Sequence, residues 1–132
     1  MFRNIDHIGI AVRDIDKALN IYKGIFGLEL EKIELVEDQK VKIAFLPIGS
    51  SKLELLEPVD PESPVFNYIE KNGEGIQHIA FTVNDIEKVL KKLKQNRIKL
   101  IDETPSLGAG GVKIAFIHPK STHGVLIELV EQ

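Results

Sequence analysis

The chain repeats itself, and that duplication constrains its fold more than any other feature. Asp6–Leu19 reads DHIGIAVRDIDKAL and Gln77–Leu90 reads QHIAFTVNDIEKVL, with seven of fourteen positions identical. His7 and His78 stand 71 residues apart, as do Asp14 and Asp85. The same spacing lays VKIAF at Val41–Phe45 on VKIAF at Val112–Phe116. With three further residues in the second copy, LELLE at Leu53–Glu57 falls on IELVE at Ile127–Glu131, so Glu54 matches Glu128. Three matched blocks in one order mark a duplicated supersecondary unit, whose copies would be marginal alone and are expected to share a core.

Each copy predicts the same element order. Alternation over Asp6–Val12 and Gln77–Val83 reads as a strand. Asp14 and Asp85 then suit helix N-caps, because a short carboxylate accepts from the orphan N–H groups of a first turn. The helices run to about Gly24–Gly27 and to Asn96, and three strands follow in each copy. These lie near 28–36, 40–47 and 51–57, then near 98–102, 112–117 and 125–131. The expectation is a single domain over residues 1–132, with modules at about 4–58 and 75–132 joined by a linker at about 59–74. Within the linker Ser63 caps a short helix with Pro64 in its first turn, ending near Gly73.

Side chains alternate faces along a strand, so His7 shares a face with Gly9 and Ala11, opposite Ile8, Ile10 and Val12. His78 likewise sits with Ala80 and Thr82, opposite Ile79, Phe81 and Val83. Small residues beside a histidine leave volume for a ligand. Glu54 and Glu128 are each flanked by aliphatic residues, where a carboxylate is costly without a partner or a cation. A lone His or Glu in such a strand is usually a hydrogen-bonded core residue or a solvated edge residue. Two of each, related by one duplication and sharing neighbours, read as a metal site. The N/O donor set suits Zn, Co, Mn, Ni or Fe, with positions left for water or substrate.

These residues resemble the vicinal oxygen chelate (glyoxalase/bleomycin resistance/dioxygenase) superfamily over about Ile5 to Glu131, and within it the methylmalonyl-CoA epimerase family. The segments that carry the likeness are DHIGIAVRDIDKAL, ELLEP followed by Ser63–Val65, QHIAFTV, TPSLGAGG at Thr104–Gly111, His118–Lys120, and HGVLIEL at His123–Leu129. The resemblance implies an α+β fold of tandem βαβββ modules forming a cupped sheet around a metal site. It also implies one divalent ion per chain (Co, Zn, Mn or Ni) on His7, Glu54, His78 and Glu128. The implied reaction is epimerisation at the α-carbon of an acyl-CoA through a metal-stabilised enolate, by a homodimer. Glu128 matches one family base; the second, a Glu in some members, aligns here with Lys42, whose parity with Ala44 and Leu46 suggests that it faces the cavity. Gly110 and Gly111 of the Gly-rich loop, and Lys120, are candidate substrate contacts. His118 and His123 have no counterparts in the first copy and read as loop histidines.

Two rivals share the fold. Glyoxalase I isomerises a glutathione hemithioacetal and can present the same four ligands; the superfamily's non-catalytic binding proteins do not need all four. Composition removes other classes. There is no cysteine, so disulfides, thiolate metal sites and cysteine nucleophiles are excluded. The net charge of −3 is spread without a basic run, which gives no sign of a nucleic-acid or membrane partner. No apolar run spans a bilayer or forms a signal-peptide core, so a cytoplasmic enzyme is expected.

Overall fold

A computed structural model describes every residue from Met1 to Gln132. It has the expected α+β character, with the βαβββ order twice over. The chain divides into two compact units, one of His7–Gln77 and one of His78–Gln132 with Met1–Asp6. The backbone crosses between them inside β1 (Ile5–Ala11) and inside β5 (Gly75–Val83). No helix is long and apolar enough to cross a membrane.

In the first unit α1 (Ile15–Leu19) runs into a π-helical turn at Asn20–Ile25. Then come β2 (Lys32–Val36), β3 (Val41–Ile48), β4 (Ser51–Pro58) and α2 (Pro64–Asn72). β2–β3 and β3–β4 pair antiparallel, and β4 pairs parallel with β1. Residues directly opposite in a ladder share a face. Ile10, Val12, Ala44, Leu46, Leu53 and Leu55 therefore share one face, and they pack with Ile15, Ala18, Leu19 and Tyr22 of the helix. His7, Gly9, Phe45 and Glu54 lie on the other.

The second unit repeats the scheme with α3 (Ile86–Gln95), β6 (Ser106–Leu107), β7 (Lys113–Ile117) and β8 (Ile127–Glu131). β5 pairs parallel with β8, and β8–β7 and β7–β6 are antiparallel. Val83, Ala115, Ile117 and Leu129 pack under Ile86, Val89 and Leu90 of α3. The N-terminal segment adds a rung here: Arg3 N–H donates to Thr82 O, and Thr82 N–H to Asn4 O. The strand expected at 98–102 shrinks to a bridge between Leu100 and Ile117. The Asp102 carboxylate takes the Phe116 N–H at 2.8 Å, while Ile101 and Asp102 both donate to Phe116 O, and this ends the regular ladder.

Both helix starts are held the same way, by two carboxylates each. Asp14 accepts from Lys17 N–H at 3.1 Å, and Asp85 from Lys88 N–H at 3.2 Å. From the neighbouring strand, Glu57 takes Ile15 N–H at 2.8 Å and Glu131 takes Ile86 N–H at 3.0 Å. Orphan first-turn N–H groups carry partial positive charge, so a carboxylate satisfies both a hydrogen bond and the dipole. In the linker, Ser63 accepts from Val65 N–H, Pro64 opens α2, and Gly73 ends it at φ 79°, a left-handed conformation that favours glycine. Glu131→Ala is expected to destabilise the fold by about 1 kcal/mol, as loss of a helix cap does. Urea unfolding followed by circular dichroism measures it.

Candidate metal centre

Each module builds the same buried pair from two parallel neighbours. In the first, Gly9 on β1 stands opposite Glu54 on β4. With no side chain at Gly9, His7 one pleat away reaches across, and its Nδ1 lies 3.1 Å from Glu54 Oε2. In the second, Ala80 stands opposite Glu128, and His78 Nε2 lies 2.8 Å from Glu128 Oε1. All four side chains are buried; the residues are only 4–6% exposed. Phe45 lies in register with Glu54, and Phe116 with Glu128, so each carboxylate has an aromatic ring on the strand beside it. The Phe116 ring also meets the His78 ring edge-to-face at 5.8 Å. Ile114 and Val130 join Phe116 and Ala80 in an apolar cluster on that face.

The donor chemistry fits a divalent ion. Imidazole nitrogen and carboxylate oxygen both bind such ions, at about 2.1 Å. The separations of 3.1 and 2.8 Å are those of a hydrogen-bonded pair, and they bring the two donor atoms of each pair close together. Burying a His–Glu pair costs desolvation of both groups, and a cation shared by them offsets part of that cost.

The other sequence-derived candidates fare differently. Lys42 does not share the face of His7 and Glu54. It pairs in register with Glu57, on the helix-covered face with Ala44 and Leu46, and its Nζ lies 3.7 Å from Glu57 Oε2. The expected parity was inverted: Ala44 is small because the helix packs close to it, while Phe45 turns toward Glu54. Lys42 and Glu57 thus brace the start of α1. Lys113, the matching residue, serves α3; the Glu87 carboxylate, with Glu131 behind it, raises its pKa. Gly111 is not a free donor toward a substrate, because its N–H is taken by Gly108 O at 3.0 Å. Gly110 and Gly111 instead carry the loop through φ of 72° and 76°. Gly108 seats the loop on the face of the second module: a Cβ there would meet Ile114 Cγ2 at 2.8 Å. Lys120 is exposed on the turn after β7, where its N–H donates to His118 Nδ1. His123 is exposed at φ 58°.

Sequence reasoning missed Phe45 and Phe116 as neighbours of the carboxylates, and it gave no role to Lys32 and Glu34 on β2. The repeated VKIAF block carried the signal for the phenylalanines, since each ends that block on the strand before its carboxylate's strand.

Comparison with known proteins now adds to this geometry. Residues 6–116 match the family model of the Glyoxalase/Bleomycin resistance protein/Dioxygenase superfamily. The mitochondrial methylmalonyl-CoA epimerase of Dictyostelium discoideum is 36% identical over 129 residues, covering 97% of this chain and 78% of that protein. The chain belongs to the methylmalonyl-CoA epimerase family. Among solved structures, a Streptomyces coelicolor methylmalonyl-CoA epimerase in complex with 2-nitronate-propionyl-CoA is 38% identical, with a TM-score of 0.95. That match covers 100% of this chain and 96% of the other. An uncharacterized Bacillus subtilis protein, YqjC, is 49% identical over 127 residues, covering 96% of this chain and 91% of its own. As a member of the epimerase family the chain is an isomerase, and its buried imidazole and carboxylate donors suit a divalent metal.

Taking His78 away leaves Glu128 buried without its imidazole. In metal-free protein, His78→Ala is expected to cost about 3 kcal/mol, the lower end for breaking a buried pair. Thermal unfolding in the presence of a chelator checks this, and an unchanged midpoint contradicts it.

Proposed function

We propose that this chain interconverts the two epimers of methylmalonyl-CoA at the α-carbon. One divalent cation (Co, Zn, Mn or Ni) would be held jointly by His7, Glu54, His78 and Glu128. The repeated buried His–Glu pair carries the reading, because duplication has kept the same residue types, a small residue opposite each carboxylate and the same aromatic neighbour in both modules. Epimerase relatives supply the substrate class. On this reading the two units work as a single domain with one site.

Removing the α-proton of a malonyl thioester leaves a planar enolate, and returning a proton to the other face inverts the centre. A bound divalent ion would supply Lewis-acid stabilisation of the developing negative charge, worth several kcal/mol in such sites. The rest is done by side chains. Glu128 has two oxygens, and Oε1 faces His78; the carboxylate takes the α-proton on one side. Ile114, Phe116 and Val130 exclude water around it, which keeps the carboxylate poorly solvated and the proton transfer local. The Gly108–Gly111 loop, packed on Ile114, places Gly110 as a proposed substrate contact, and Lys120 offers a cation to the phosphates of CoA. A cytoplasmic homodimer is part of the same proposal; exposed Ile25 and Phe26, 72% and 62% accessible, supply apolar surface for a second copy.

Incubated in deuterium oxide, the metal-loaded protein is expected to wash deuterium into the α-position of methylmalonyl-CoA and to equilibrate its epimers. Chelation should remove the activity and added Co should restore it. Conversion of glutathione hemithioacetal without exchange on methylmalonyl-CoA replaces this reading with glyoxalase I. Neither activity, in metal-loaded protein, leaves a binding protein.

A further inference from the structure

We propose that Glu34 on β2 is the second acid/base group of the reaction, with Lys32 holding its carboxylate in place. The proposal rests on the epimerase reading and names the proton-transfer group that reading lacks once Lys42 is assigned to the helix-covered face.

The strand register decides which residues qualify. On β2, β3 and β4 of the first unit, the face that carries Glu54 also carries Lys32, Glu34 and Val36, then Val41, Ile43 and Phe45, then Lys52 and Leu56. β3 offers only apolar side chains there, and Val41, Ile43 and Phe45 are buried. Of the charged residues, Lys32 and Lys52 are ammonium ions with no lone pair to accept a proton. Glu34 is the one carboxylate on these strands' site face besides the ligand Glu54. It stands opposite Ile43, two strands across and two residues along from Glu54, which is about 12 Å between backbones. A substrate lying over β3 would be flanked by both.

Glu34 is not a solvated edge residue. Its side chain is only 30% exposed, and Lys32 Nζ lies 3.2 Å from its Oε1. The same ammonium sits 5.1 Å from the centre of the Phe45 ring, whose residue is in register with Glu54. With its ammonium drawn to the ring's negative face, the lysine ties the carboxylate to the site face. The second module has no such arrangement, because its edge strand is cut to Ser106–Leu107 and Thr104, in place to oppose Phe116, lies outside it. The two modules therefore contribute different groups: a ligand carboxylate that takes a proton in one, and a separate carboxylate in the other.

The proton balance closes. In one direction the Glu34 carboxylate takes the α-proton, the C–H electron pair enters the enolate, and the Glu128 carboxyl returns a proton to the opposite face. In the other direction the roles exchange, and solvent resets both groups between turnovers.

Glu34→Gln keeps shape and removes the base, and circular dichroism confirms that it folds. It should slow equilibration of the epimers by roughly 10²–10⁴, the usual contribution of one positioned proton-transfer group. Deuterium wash-in should persist from the epimer served by Glu128 and fail from the other, with bound metal unchanged. Glu34→Asp should recover part of the rate. Lys32→Met should lower kcat with little change in KM, and Lys32→Arg should rescue it, which a merely structural role would not produce. Lys42→Ala should leave both epimers' exchange within threefold of wild type. An active wild type whose Glu34→Gln variant equilibrates epimers at the parental rate overturns the assignment alone. A wild type that exchanges no α-proton overturns the epimerase reading and this assignment together.

Discussion

The contact on which the site depends is a carboxylate set into an apolar strand and met by an imidazole from the strand beside it. Leu53 and Leu55 flank Glu54, Ile127 and Leu129 flank Glu128, and their side chains turn toward a helix. The carboxylates turn the other way, beside Phe45 and Phe116, and are buried where water cannot repay the charge. Only a partner of matching chemistry makes that position tolerable. The strand pairing provides it through one detail: Gly9 and Ala80 oppose the carboxylates and leave the histidine one pleat away free to reach them. A larger residue at either place would fill the space that the pair needs.

Around that contact the fold acts as a pair of rigid braces. Helices α1 and α3 are each fixed at their start by an N-cap aspartate and by a glutamate on the helix-covered face of the neighbouring strand. Those glutamates, Glu57 and Glu131, lie three residues beyond Glu54 and Glu128, on the opposite face of the same strand. One short block, LELLE or IELVE, therefore supplies a site residue on one side and a helix cap on the other. Selection on either role holds the register of the strand for both, since a slip of one residue would exchange the two faces. Lys42 and Lys113 belong to the bracing side.

Much of this was legible in the sequence because duplication turns a weak pattern into a repeated one. The element order, the four candidate ligands and the aspartate caps could be read from matched blocks and alternation, and the Ser63–Gly73 helix from its start and stop residues. What failed was parity in the VKIAF strand. Ala44 resembles a residue lining an open cavity, and Phe45 resembles a core residue, but each does the opposite because the helix crosses close over Ala44. Periodicity says which residues share a face; it does not say which face is which when both are apolar. The strand at 98–102 failed for another reason. Its apolar pattern was sound, but Asp102 bonds the Phe116 N–H with its side chain and ends the ladder early. Glu34 escaped notice because β2 has no counterpart of comparable length in the second copy, so no repeat drew attention to it.

The central claim is that one cation unites the two pairs. Calorimetric titration of Co into metal-free protein tests it most directly, with wild type compared to Glu54→Ala and Glu128→Ala. The expected result is one ion per chain, bound far more weakly in both variants, since each removes a ligand from the same ion. Two ions per chain, each lost only with its own module's carboxylate, would contradict it, as would no binding in a correctly folded wild type.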